Sequence, residues 1–350
     1  MQRNASYESL FDFGFSFLGP ILTAYFSELN GKRNIYLPVC LAREGYLFDR
    51  VIKKAKSEGY MHSALPPVYL KVSRTFLFKI LADNPWCRDI ALSKGYGGNF
   101  LDLLLKRFAI QLHEAIEIFP MDILMSEIVL PSDKDKVENF FLDSQDKINN
   151  LISAPKKLYL DYLSTSLEKP ANAELAFLDV GYAATIQKLL SYIIKADTHG
   201  YYFVTTESGC TSVEQAVVEV NGLLLEGAVW GQKKPLLDKS LFLECLLTAP
   251  HGQVIDIRES ATGEVEFIFG RKTKSQVDFH ELSAIHDGAV QAVIENLKNN
   301  VTYSTDEVSL IYSTYVNCVE NIPLNIRAIF SIDDDVSGNG IINPMSFLQV

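Results

Sequence analysis

No C-x-x-C pair occurs anywhere in this 350-residue sequence. Its five cysteines, Cys40, Cys87, Cys210, Cys245 and Cys318, are odd in number and widely spaced. That pattern argues against a disulfide framework or a cysteine zinc site, and the thiols are expected mostly as small buried hydrophobes. The Gly-Lys-Ser/Thr ending of a phosphate loop and the Gly-x-Gly-x-x-Gly dinucleotide fingerprint are both missing. Positive charge is scarce, with 32 Lys and Arg against 43 Asp and Glu and a net charge of −11. An extended nucleic-acid face is thereby disfavoured, as is broad attraction to an anionic membrane. No apolar run reads as long enough to span a bilayer. The aromatic-rich stretch Phe11 to Pro20 is interrupted by Asp12 and glycines and lacks the order of a signal peptide. A cytoplasmic location is the default expectation, with at most peripheral membrane contact. Internal repeats, low-complexity segments and linkers rich in Pro, Gly or Ser are also lacking, so residues 1–350 are expected to form one domain.

What is present is ordinary for a globular protein, 48% hydrophobic and 21% charged. Strand-like and helix-like segments alternate. Residues 10–30 read as a helix with a break or kink at Gly19-Pro20. Residues 34–41 read as a buried strand, although Pro38 weakens a central placement. Residues 45–56 read as a helix, 67–73 as a strand and 74–82 as a helix, which makes a βαβ unit with parallel strands. Residues 99–168 read as a mostly helical insertion. Strands resume at 175–180, 200–205, 222–226 and 253–258, with 264–269 a candidate hairpin partner for the last. Residues 281–299 read as an amphipathic helix. The fold class expected is α/β, Rossmann-like, a mostly parallel sheet with flanking helices.

The most informative segment is Leu178-Asp179-Val-Gly181-Tyr182-Ala-Ala-Thr185-Ile-Gln187. An apolar run ends in a carboxylate, a glycine turn follows, and then an amphipathic helix begins. Alone, such a strand–turn–helix unit is more often plain scaffold. A helix start after a glycine turn nevertheless offers free N–H donors and a positive dipole end to a phosphate. Asp179 falls at a strand's carboxyl end, where open α/β sheets place ligands.

Two other strand ends carry similar groups. Arg43-Glu44-Gly45 follows the first strand, and its guanidinium suits a phosphate, or else pairs with Glu44. Ser73-Arg74 follows the second, where Ser73 is either a helix cap or a phosphate ligand. Parallel, adjacent strands would bring these groups into one crevice fit for several phosphates and a divalent cation. Glu244, on an apolar helical face, needs a partner there. His251, in a Pro-His-Gly turn, is a candidate acid/base group or a structural histidine. Asp333-Asp-Asp335-Val-Ser337-Gly338 mimics a calcium loop but has Pro344 where the closing glutamate belongs.

In that order, Ala42-Arg43-Glu44-Gly45-Tyr46, Val72-Ser73-Arg74, the Asp179–Gln187 segment and Glu244…Thr248-Ala249-Pro250-His251-Gly252 resemble a known family. It is the bacterial glycan phosphoribosyltransferases, the transferase half of dual-domain ribofuranosyltransferases, often labelled predicted haloacid-dehalogenase hydrolases. The resemblance covers about residues 10–340. It implies transfer of a 5-phosphoribosyl group from 5-phosphoribosyl diphosphate (PRPP) to a sugar hydroxyl of a lipid-linked surface glycan such as O-antigen or capsule. A separate haloacid-dehalogenase-type phosphatase would then remove the 5-phosphate. It implies Arg43, Glu44, Gly45, Ser73, Arg74, Gly181, Tyr182, Thr185 and Gln187 as donor-binding residues. Asp179 and Glu44 would hold Mg²⁺, and Asp179 with Glu244 or His251 would be catalytic.

Three departures stand out. Glu44 replaces an aspartate, Ala184 replaces a glycine, and the paired acids of nucleotide-salvage phosphoribosyltransferases are reduced to Asp179 alone. The rival readings are a nucleotide-sugar-dependent glycosyltransferase, a scaffold that recruits other glycan enzymes, and a hydrolase. The last is the weakest expectation: Asp333-Asp-Asp335 also mimics the Asp-x-Asp start of a haloacid-dehalogenase phosphatase, but only a short tail follows it in this sequence, too short for such a catalytic domain.

Overall fold

The computed structural model describes residues 5–31, 34–334 and 340–348. Six strands form the central sheet: β1 (Tyr36–Leu41), β2 (Val68–Leu70), β3 (Glu174–Asp179), β4 (Thr198–Val204), β5 (Gly209–Val213) and β6 (Ala216–Leu225). Their order is β2-β1-β3-β4-β6-β5, parallel throughout except for the antiparallel edge strand β5. The protein is therefore α/β with a mainly parallel sheet. Both faces of that sheet are covered, which is why β1 is buried at all six positions and reads as a continuous apolar run.

Side chains alternate across the sheet and feed two cores. Tyr36, Cys40, Ala176 and Leu178 point to one, with α1 (Ala5–Phe13), α2 (Gly19–Asn30), α3 (Gly45–Ser57) and the helix Phe279–Lys298. Leu37, Val39, Leu41, Leu175 and Phe177 point to the other, with α4 (Arg74–Ile80) and the helices within residues 100–166. The stretch 99–168 comprises five helices and one strand, Glu127–Leu130, paired with Tyr96–Asn99. The hairpin expected near Thr262-Gly263 pairs Val254–Glu259 with Val265–Phe269.

Several expectations need correction. Pro38 lies in a central strand, paired with Ala176 of β3. Tyr36 N–H donates to Ser63 O and Ala42 N–H to Leu70 O, so even-numbered residues of β1 face the β2 side. The missing donor of Pro38 thus falls between the Tyr36–Ala64 bridge and the ladder that starts at Val68, opposite Pro66-Pro67. No ladder bond is lost there, which removes the usual objection to a central proline.

The N-terminal helix does not break at Gly19-Pro20. It passes from α1 into a π-helical stretch, Gly14–Leu18, whose wider turn, with Gly19 N–H bonded to Gly14 O, comes directly before Pro20 at the start of α2. Tyr7–Asn30 is long and apolar enough to cross a membrane, contrary to expectation, but 72% of its most apolar window is buried within the protein. Phe13 and Phe17 are core residues, and only the other face, with Phe11 and Phe15, is partly exposed. Strand β5 escaped the sequence reading because its residues Gly-Cys-Thr-Ser are exposed and polar. Cys40, Cys87 and Cys245 are buried thiols, while Cys210 and Cys318 are exposed. Of the acidic segment 333–338, residues 335–338 lie outside the described residues.

Candidate functional site

Strand order reverses between β1 and β3, since β2 lies on one side of β1 and β3 on the other. In open α/β sheets ligands bind outside the carboxyl ends of the strands at such a reversal. A cleft of about 410 Å³ opens there, and the ends of β1, β2, β3 and β4 all contribute to it. Arg43 and Glu44 come from the first, Ser73 and Arg74 from the second, Asp179 to Ile186 from the third and Thr206 from beyond the fourth. The three strand-end clusters therefore meet, as their parallel neighbourhood requires.

Asp179 is the most perturbed acid. Burial pushes its carboxyl well above the usual aspartate range, and the nearby Glu44 and Glu244 push it further. The Val180 N–H and Arg74 oppose that shift without reversing it. Glu44 accepts the Arg43 N–H at 3.1 Å, and its other oxygen lies 3.9 Å from Arg43 Nε. The local pairing of Arg43 with Glu44 is thus real, but weak in geometry. The Ala42–Arg43 and Gly181–Tyr182 peptides are both cis.

Glu244 has the partner its apolar helix demands. It lies on α6 (Ser240–Leu247) and accepts the Tyr182 hydroxyl at 2.5 Å. Burial, then the charge of Glu244, raises the Tyr182 phenol far above its ordinary range, so it remains a donor. Gly181 turns the chain between β3 and α5 (Thr185–Ile194), and an added Cβ there would overlap the Val204 carbonyl oxygen. Gly181→Ala should cost about 3 kcal/mol in urea unfolding, because backbone rather than a flexible side chain must yield. An undiminished midpoint would show that the turn relaxes freely. Ala184 caps α5 in a left-handed conformation with φ of 54°, which explains why glycine suits this position.

Three long helices start at or beside the cleft without a side-chain cap: α3 at Gly45, α5 at Thr185 and α6 at Ser240. In α3 the Tyr46 N–H already bonds Arg43 O, and in α6 the Phe242 N–H bonds Lys239 O; the other first-turn N–H groups are open to solvent or a ligand. Gly45 itself is absent from the lining, and an added Cβ would strike the Cys40 backbone, so glycine lets α3 start close against β1.

Three proposed ligands prove to be otherwise engaged. Ser73 lines the cleft, but its hydroxyl accepts Phe76 N–H at 3.1 Å and donates to Val254 O at 2.5 Å. It is a helix cap. Gln187 is fully buried away from the cleft, where its amide donates to Thr198 O and Glu219 O and accepts from Tyr202 Oη. His251 is not among the lining residues. Its Nδ1–H donates to Gly252 O at 2.8 Å, which leaves Nε2 to accept the Tyr69 hydroxyl at 2.8 Å. Burial first of all lowers its pKa, so the ring is neutral with both nitrogens occupied.

Other lining residues were not anticipated: Lys94, Trp230, Asp238, Ser240, Gln253 and Asp333. Trp230 is 55% exposed and packs edge-on against Tyr182. Asp238 accepts the Gly231 and Lys234 N–H groups and so shapes the loop that carries Trp230. The available signal was topological. Strand β6 runs parallel to β4, so the loop after Leu225 emerges at the same sheet edge.

Among the described residues, no group of three or more His, Cys, Asp or Glu side chains could hold a metal. Asp179 and Glu44 nonetheless form a crowded pair of acids that a divalent cation would relieve. Magnesium, which takes one or two carboxylates plus ligand phosphates, fits such a partial donor set. No protein-family model matches the chain, and no curated protein matches it either.

Proposed function

We propose that the protein transfers a 5-phosphoribosyl group from PRPP to a sugar hydroxyl of a lipid-linked bacterial surface glycan. The observation that carries this reading is the meeting of Arg43, Arg74, the uncapped starts of α5 and α6 and the carboxylates Asp179, Glu44 and Glu244 in one cleft. Phosphate donors and a metal-binding acid pair belong together in a site for a diphosphate leaving group. In this reading the fold is Rossmann-like, and residues 99–168 are an insertion in a single transferase domain.

In the reaction, the bond from ribose C1 to the diphosphate breaks and a bond from C1 to the acceptor oxygen forms. Positive charge builds on the ribose ring while negative charge builds on the diphosphate. Arg43, Arg74 and the N–H groups at Thr185 meet the latter, and fixed donors of this kind are the largest electrostatic aid available. Asp179 and Glu44 would hold Mg²⁺, which would neutralise the departing diphosphate. Glu244 takes the acceptor proton in preference to His251, since it lines the cleft and His251 does not. The Tyr182 hydrogen bond fixes the Glu244 carboxylate in place. A separate haloacid-dehalogenase-type phosphatase would then release the 5-phosphate.

The test is diphosphate release from PRPP on addition of a glycan acceptor, with the product identified by mass. Glu244→Gln should lower turnover about a hundredfold or more at unchanged donor affinity. Full turnover in that variant, with loss in His251→Gln, would reverse the choice of base. The nucleotide-sugar reading rests on Trp230, whose exposed ring at the cleft rim suits stacking on a base. Competition between PRPP and nucleotide sugars separates the two.

A further inference from the structure

A second, smaller pocket of about 210 Å³ adjoins the cleft. Arg74, Lys94 and Thr185 line both, while Arg107, Lys188 and Glu207 belong to the smaller one alone. Charge is segregated between the two. Glu44, Asp179, Asp238, Glu244 and Asp333 all lie in the larger cleft. The smaller pocket has four cationic side chains and one acid, Glu207, which is 66% exposed and bonded to Lys188 at 2.9 Å.

Arg107 is the telling residue. It is 2% exposed. Its terminal nitrogens donate to the carbonyls of Ala91, Lys94 and Gly95 at 2.6–2.8 Å. Among the described residues its buried Nε–H has no acceptor. A desolvated guanidinium with a missing acceptor is costly unless something anionic completes it. Burial and then the charge of Arg74 lower its pKa, so the two cations crowd each other. The uncapped start of α5 adds its N–H groups at the same place.

We infer that this pocket is a metal-independent site for the phosphate monoester of a sugar phosphate. In the reading above it takes the 5-phosphate of the donor, and to that extent it rests on that reading. The acid-lined cleft then keeps the diphosphate and its metal. A monoester dianion suits a site that has a planar guanidinium, ammonium groups and a helix start but no pair of carboxylates to hold a cation.

Arg107 also ties down the 91–95 turn, so its removal would confuse folding with binding. Lys94 and Lys188 are better probes, with the exposed Lys298→Ala as a control of equal charge change. Calorimetric titration of ribose 5-phosphate in EDTA should show binding, and ribose should show none. Lys94→Ala and Lys188→Ala should each weaken it about tenfold, a typical loss for one charge-assisted contact, while Lys298→Ala leaves it unchanged. Failure of ribose 5-phosphate to bind overturns the inference. So does binding that requires Mg²⁺, or equal affinity in both pocket variants. Mg²⁺-free binding of ribose 5-phosphate that both variants weaken, with no diphosphate release from PRPP for any acceptor, would support this pocket and sink the transferase reading.

Discussion

Asp179→Asn is expected to lower phosphoribosyl transfer about a thousandfold while leaving the fold at least as stable as before. The activity loss follows from removing the one carboxylate at the end of β3 that can share a cation with Glu44. The stability gain follows from its pKa. Burial, with Glu44 next, raises the Asp179 carboxyl, so the folded protein favours the protonated acid. Its favourable contribution is complete below the ordinary carboxylate value near pH 4 and is lost as pH rises through the raised folded value. Asparagine mimics the protonated shape at every pH. The variant and the parent should therefore unfold alike near pH 3. A gap of about 1 kcal/mol in favour of the variant should open toward neutrality. A variant that is active, or that is less stable at pH 7 than the parent, would remove Asp179 from its assigned role.

Lys79→Met should destabilise the protein by about 3–5 kcal/mol. Lys79 is fully buried on α4, the helix that presents Arg74 to the cleft. It donates to Glu114 at 2.7 Å and to Asp256 at 3.1 Å, and so joins α4 to the helix Leu112–Ile118 and to the hairpin strand Val254–Glu259. Replacement by an apolar side chain strands the Glu114 carboxylate in a dry site. Adding Glu114→Gln should recover part of the loss, since the amide oxygen can still accept the Gln111 N–H that Glu114 now binds at 2.7 Å. Chemical denaturation of the single and double variants measures both effects. A loss below about 1 kcal/mol would mean that solvent reaches Glu114 once Lys79 is gone.

The sheet was legible in the sequence because its strands are apolar on both faces. Residues 36–41, 174–179 and 198–204 announce themselves as runs, and their carboxyl ends carry the polar residues that a ligand site requires. The convergence of Arg43, Arg74 and Asp179 followed from parallel pairing alone. What could not be read was which polar side chain spends its hydrogen bonds elsewhere. Gln187 looks like a ligand one turn into α5, yet a helix periodicity of 3.6 places it over β4 and β6, where Thr198, Glu219 and Tyr202 claim it. Ser73 and His251 were likewise satisfied by Val254 and Tyr69, residues far away in sequence. Arg107, Lys94 and Trp230 were missed because their relation to the cleft depends on helix packing and loop paths that have no local signature.

The most direct measurement is thermal unfolding with PRPP and Mg²⁺ beside a panel of nucleotide sugars. At a hundredfold excess over the dissociation constant, PRPP should stabilise the protein by roughly 2.7 kcal/mol, and Arg43→Ala should abolish that shift. Stabilisation by a nucleotide sugar alone, or by none of the donors, would contradict a phosphoribosyl donor site in this cleft.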